Sequence, residues 1–217
     1  MLTSVESLLR SKGRFSIDAS RVPWLALGGL VCLAGFAYGT AMGFSDARPL
    51  QSLYSGLKVP MLFVLTSVVC LPNFFVVNTL LGLRNDFTSA FRGIVAAQAT
   101  GAVCLASLAP FTLFIYVSSD DYNFALVFNG GMFLLATVAA QLTLSKHYAP
   151  LIAANPRHRN GRTAWAILYV FVAIQLAWIL RPFVGSPGLP TRFFREEAWD
   201  NAYVVVAQRV WALLTGG

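Results

Sequence analysis

Acidic side chains are scarce in this sequence, nine in 217 residues, and none falls inside a long apolar run. Proton-coupled transporters and charge-driven pumps usually place an ionisable group at depth, because moving a proton or ion needs a titratable or charged site there. The lack of one argues against both classes. Cysteine is equally sparse: Cys32, Cys70 and Cys104 stand singly, each within an apolar run. They read as small packing residues and offer neither a disulfide framework nor a metal motif. The chain also has no glycine-rich phosphate loop, no HExxH pair and no nucleophile elbow, so the usual signatures of nucleotide, metalloprotease and hydrolase chemistry are missing. No cofactor, metal or catalytic group is expected.

Charge of both signs is low overall, 12% against 57% hydrophobic residues. Five apolar runs, 22–44, 57–83, 93–117, 122–145 and 164–184, approach or exceed the roughly 20 residues that a helical crossing needs. The expected fold is an all-α membrane protein, a five-helix transmembrane bundle with a C-terminal interfacial helix. Residues 1–22 then form a cytoplasmic basic leader, 23–184 the five-span bundle, and 185–217 an outer polar-aromatic cap with an amphipathic helix. A cleaved signal peptide is the rival for the first run, but its apolar core is longer than the usual 7 to 15 residues. The last apolar segment, 199–214, is short and interrupted by Arg209, which suits an interfacial helix better than a sixth crossing.

Span two carries Pro72, Asn73 and Asn78 among its apolar residues. Proline lacks an amide hydrogen and its ring displaces the carbonyl four residues earlier, so Val68 leaves an acceptor for another helix or water to meet. Asn73 and Asn78 point about 140° apart on a helix, so both cannot face one pore. At least two neighbours are expected for this span. Span one sets Gly35, Gly39 and Gly43 four apart, extending a small face that begins at Gly28 and Cys32, and span three repeats the spacing with Gly93, Ala97 and Gly101. Small residues at this interval let a second helix come close. These six, with Pro72, Asn73 and Asn78, are the expected helix-packing positions.

The positive-inside rule sets the expected orientation. With the amino end inside, the inner face gathers ten basic residues, Lys146, Arg157, Arg159 and Arg162 among them, against Glu6, Asp18 and Asp86. The outer face balances six against six, so the whole net charge of +7 falls on the cytoplasmic surface. A basic residue near anionic lipid is worth about 1 kcal/mol, so anionic headgroups are the expected partner of Lys146, Arg157, Arg159 and Arg162. Lipid accounts for the patch, and nucleic acid is not expected. The placement that follows is multi-pass, with the amino end cytoplasmic and the carboxyl end outside; the resemblance below adds a bacterial inner membrane.

Between the spans, 45–56 reads as a connector, Asp86 as a cap for the helix after it, and 146–163 as a solvated basic loop touching lipid phosphates. His147 and His158 in that loop sit among cations, which depress metal affinity, with no third ligand beside them. The amides Gln98, Asn129, Gln141 and Gln175 either line a polar pathway or bond helix to helix. The second is preferred, at about 0.6–2 kcal/mol for each bond. Beyond span five, Arg181, Arg192 and Arg195 share a side with Glu196, Glu197 and Asp200, which suggests a cap held by ion pairs, each individually weak. Phe183, Phe193, Phe194, Trp199, Tyr203 and Trp211 would form an aromatic belt at headgroup level. An outer active site on Glu196 or Glu197 lacks a nucleophile or metal beside it.

The stretches CLPNFFVVNTLLGLRNDF and QLAWILRPFVGSPGLPTRFFREEAWDNAY resemble a group of uncharacterised bacterial polytopic inner-membrane proteins, and no activity comes with that likeness. The layout of five spans is also similar to that of Yip1-type membrane proteins, scaffolds of membrane trafficking and shaping, in topology only and without that family's signature residues. The expected role is an integral membrane scaffold, assembly or accessory protein that meets other membrane proteins or its own copies through its small-residue faces. The alternative is an oligomeric channel or carrier for a small neutral solute or lipid.

Overall fold

The structure is a computed structural model that describes residues 6, 8, 23–44, 48–119, 121–185, 188–195, 203 and 204. Five α-helices follow one another: α1 Trp24–Met42, α2 Pro49–Leu80, α3 Phe87–Ser118, α4 Tyr122–Ala154 and α5 His158–Leu180, with a 3-10 turn at Arg84–Asp86. Each is long and apolar enough to cross a bilayer, and no strand occurs among the described residues. The chain is an all-α bundle of five membrane-spanning helices.

α2 and α3 each run 32 residues and α4 runs 33. At 1.5 Å per residue that is about 50 Å, well beyond a hydrocarbon core of about 30 Å. The excess lies where the sequence suggests loops. α2 starts at Pro49, so most of the expected connector 45–56 is helical, and Pro49 opens the helix where its missing N–H has no partner to lose. α4 runs on through the first half of the expected loop 146–163, leaving only 155–157 before α5. His147 and Tyr148 are buried there, and Leu151 and Ile152 pack beside them, so an apolar face continues past the basic residues. Asp121 caps α4, its carboxylate accepting from the amides of Asn123 and Phe124 at 2.8 and 3.2 Å. Asp86, expected to cap α3, makes no such bond, because its carboxylate is taken by His158.

α1 lies between α2 and α3, α4 packs on α3, and α5 packs on α2, while α4 and α5 meet only loosely. The order around the bundle is therefore α5, α2, α1, α3, α4. One cluster joins α1 to α3 through Leu27, Leu30, Val31 and Ala34 against alanines 96, 99 and 102, with Leu8 of the leader buried against it. A second, toward the α2–α3 and α4–α5 turns, unites Phe74, Ile94, Leu144 and Trp165 of the other four helices. A third, toward the opposite end, holds Tyr38, Met42, Val59, Leu105 and Val184.

The glycine face of α1 packs on α2 so closely that a β-carbon on Gly39 would stand 2.2 Å from the carbonyl oxygen of Ser55, and one on Gly43 2.6 Å from that of Gln51. Gly35 faces Pro60 at 3.2 Å in the same way. Gly93 meets His147, Gly101 meets Ala140, and Ala97 is buried. These small faces therefore join helices of one bundle. The face does not reach Gly28 or Cys32, both of which are exposed. Pro72 and Asn73 also lie on an exposed side of α2; Asn73 Nδ2 donates to its own helix, at the Val69 carbonyl, 3.2 Å away. Asn78, by contrast, is buried against Gly161 of α5. Glu196, Glu197, Asp200, Trp199, Arg209, Trp211 and the expected interfacial helix 199–214, apart from 203 and 204, lie outside the described residues.

Candidate functional site

Three polar sites stand at different depths in the bundle. The first lies near the start of α2, where Gln51, Ser52, Ser55 and Lys58 recur at helical spacing and are all buried. Beyond Leu180 the chain leaves α5 with carbonyls that no helix turn satisfies, and buried carbonyls need donors. The α2 face supplies them. Lys58, with 0% exposure, donates Nζ to the Pro182 carbonyl at 2.8 Å and stands 4.8 Å over the Phe193 ring. Gln51 Nε2 reaches the carbonyls of Phe183 and Pro182 at 3.0 and 3.3 Å, and the Ser55 hydroxyl also donates to Phe183. Arg48 donates to the Leu189 carbonyl at 3.0 Å.

The cap expected from ion pairs is thus seated on α2 by bonds to its backbone carbonyls. Arg181 stacks on Trp178 at 3.5 Å, Arg192 is exposed and Arg195 half-buried; their expected acidic partners Glu196, Glu197 and Asp200 are outside the described residues. Of the expected aromatic belt, Tyr203 stacks on Phe171 at 4.5 Å and its hydroxyl donates to the Phe171 carbonyl at 2.6 Å, nine residues before the end of α5.

At mid-depth the amides are bonded between helices. Tyr38 of α1 donates its hydroxyl to Asn129 Oδ1 of α4 at 2.8 Å. Asn129 Nδ2 in turn donates to the Tyr116 hydroxyl of α3 at 2.9 Å, and Tyr116 donates to the Met42 carbonyl at 2.8 Å. Gln98 of α3 accepts from Tyr169 of α5 at 2.8 Å. Gln141 differs, making no hydrogen bond to any described residue. It lines a cleft of about 30 Å³ between α4 and α5, with Phe133, Thr137 and Leu144 on one wall, Trp165 and Tyr169 on the other, and Gln98 and Phe63 behind. That volume is room for about one water.

The third site, beside the α2–α3 and α4–α5 turns, corrects the solvated-loop expectation. His147 and His158 are buried, at 5% and 1% exposure. His147 Nδ1 donates to the Thr143 carbonyl at 3.0 Å, while His158 Nε2 donates to Asp86 Oδ2 at 3.1 Å and packs edge-on to Tyr148. A carboxylate only accepts, so Nε2 carries the proton. Three buried atoms here, Asn78 Oδ1, Tyr148 Oη and His158 Nδ1, have no hydrogen-bond partner. The cations of the segment stay outward: Lys146, Arg157 and Arg159 are exposed, and half-buried Arg162 crosses from α5 to donate to Ser145 Oγ of α4 at 3.2 Å. No group of three His, Cys, Asp or Glu side chains suited to a metal forms among the described residues.

The α2 polar face was missed from the sequence, although its own spacing was a usable signal: offsets of one, four and seven residues place four polar side chains on one helical face. Set against protein-family models, curated proteins and solved structures, the chain matches none of them.

Proposed function

We propose that the protein is a non-catalytic scaffold or assembly subunit of a bacterial inner membrane, with the α2–α3 and α4–α5 turns in the cytoplasm and the 181–195 segment outside. The observation that carries this reading is the fate of the amides. Gln98 and Asn129, which a solute path would leave open, are bonded pairwise between helices, so their role is to fix helix positions. Their bonds span α1, α3, α4 and α5, which suits a rigid platform. The glycine faces are spent inside the bundle, so partners meet the less covered flank of α4 and α5. Exposed basic side chains at the inner end sit where anionic headgroups lie.

One observation favours a rival, an oligomeric carrier for a small neutral solute or lipid: Gln141 stands unbonded in the α4–α5 cleft. In vivo photo-crosslinking from exposed Leu142 and Ile167 separates the two. The scaffold reading expects a discrete membrane-protein partner, and no acceleration of glycerol flux in proteoliposomes. Flux that rises with the protein and falls in Gln98→Leu would replace it with the carrier. A reporter inserted at Pro156 tests the orientation and is expected to be active in the cytosol.

A further inference from the structure

Gln98 of α3 and Gln141 of α4 line one cleft and do not bond to each other. We infer that this cleft is a binding site for a single water molecule held within the membrane, which accepts from the Gln98 amide, donates to the Gln141 amide and so completes the joint where α3, α4 and α5 meet. The site depends on neither the orientation nor the scaffold role proposed above.

Alanines make the space. Ala97 of α3 and Ala136 and Ala140 of α4 stop short where Phe63, Trp165 and Tyr169 come in from the neighbouring helices, and about 30 Å³ is left. That holds a water and is too small for glycerol or an acyl chain. A buried water typically makes about three hydrogen bonds, and the lining can supply them. Gln98 commits its oxygen to the Tyr169 hydroxyl, which leaves the Nε2 hydrogens without an acceptor among the described residues. Gln141 has both ends of its amide unbonded to any described residue. Thr137 donates its hydroxyl to the Phe133 carbonyl and keeps lone pairs for a third bond. Gln141 lies about 20 Å along α4 from one end and about 28 Å from the other, away from headgroup water, and an amide left unpaired in hydrocarbon is costly. Since α4 and α5 meet only loosely, a bridging water adds the polar contact that direct packing does not. It also accounts for the unbonded Gln141 without a transported solute.

The test is water-edited solid-state NMR of the full-length protein in phosphatidylcholine bilayers, with nitrogen-15 in the glutamine side chains. Magnetisation from water is expected to reach the amides of Gln98 and Gln141 several-fold faster than that of Gln51, which is buried and bonded within the protein. Ala140→Val takes up the space and should abolish the transfer to both. Tyr169→Phe removes the hydroxyl proton that can pass a water signal to Gln98, and should leave the transfer to Gln141 in place. If Ala140→Val does not fold, the melting point of Gln141→Leu decides, falling where the amide holds a water and rising where it stands dry. Transfer no faster than at Gln51, transfer unchanged in a folded Ala140→Val, or a higher melting point for Gln141→Leu overturns the site. So do cross-peaks from acyl chains to Gln141 in place of those from water, since lipid then covers the amide.

Discussion

The hydroxyl of Tyr38 meets the amide oxygen of Asn129 at 2.8 Å, joining two residues ninety-one apart in the chain. Asn129 passes the connection to Tyr116, and Tyr116 passes it back to the end of α1 at Met42. Three helices are tied by one buried amide. Interhelical bonds of this kind are worth about 0.6–1.7 kcal/mol in membranes. Tyr38→Phe is expected to cost about 1 kcal/mol and Asn129→Leu about 2, because the second strands the Tyr38 hydroxyl and also removes the donor to Tyr116, which keeps its bond to Met42. A double-mutant cycle on unfolding in mixed micelles should show a coupling of about 0.5–1.5 kcal/mol. Additive effects would mean that the two groups do not share a bond.

Gly39 and Gly28 lie on one helix and should respond oppositely to a methyl group. A β-carbon at Gly39 overlaps the backbone of Ser55 and Gly56, which cannot swing aside as a flexible side chain can. One at Gly28 meets nothing within 4 Å. Gly39→Ala should lose about 1–3 kcal/mol by forcing α1 from α2, while Gly28→Ala should be neutral or slightly stabilising. Thermal melting of the two variants in the same detergent decides this. Equal melting points would show that α1 and α2 are not in the close contact described.

The same glycines show what a single sequence can and cannot convey. Spacing identifies a face that admits close approach, but it does not name the partner, since α1 could use that face toward its own bundle or another molecule. The five crossings were legible because a bilayer demands long apolar runs. The ends of α2 and α4 were not, because their helices continue past the apolar core on a different principle. In α2 the buried face from Gln51 to Lys58 is polar and matched to stray carbonyls; in α4 the face at His147 and Tyr148 is interleaved with Lys146 and Pro150. Averaged hydropathy sees a loop in both. Pro72 and Asn73 misled in the other direction. Residues that seem to demand partners in lipid can be served by their own helix, as Asn73 is through Val69.

Lys58 is expected to hold the 181–195 segment in place. Met at this position keeps the length of the stem but removes the donor to Pro182 and the cation over Phe193. Losing a hydrogen bond from a charged donor costs about 1.5–3 kcal/mol, with only the longer bond from Gln51 left on the Pro182 carbonyl, and the loss should concentrate where the segment is seated. Lys58→Met should therefore speed tryptic cleavage at Arg192 and Arg195 in micelles more than it lowers the global melting point. Cleavage at the parental rate would leave the seat to Gln51 and Ser55 alone.

Tyr148 gives the sharpest contrast between burial and bonding. Its ring is fully packed in the cluster of Phe74, Ile94 and Trp165, yet its hydroxyl finds no partner among the described residues, and the same holds for His158 Nδ1 and Asn78 Oδ1. Burying a hydroxyl without a bond is unfavourable, so Tyr148→Phe keeps the packing and should raise stability by up to about 1 kcal/mol. Asp86→Ala acts on the other side of the same ring of contacts: it strips His158 Nε2 of its acceptor and should cost about 1–2 kcal/mol. Together the pair of melts distinguishes two kinds of inner end. A gain in Tyr148→Phe marks a dry cluster whose stability comes from Trp165, Phe74 and Ile94. A loss as large as that of Asp86→Ala would instead require a bound water bridging the unpaired atoms, and the inner end would then be a polar network in which the tyrosine hydroxyl is an essential member.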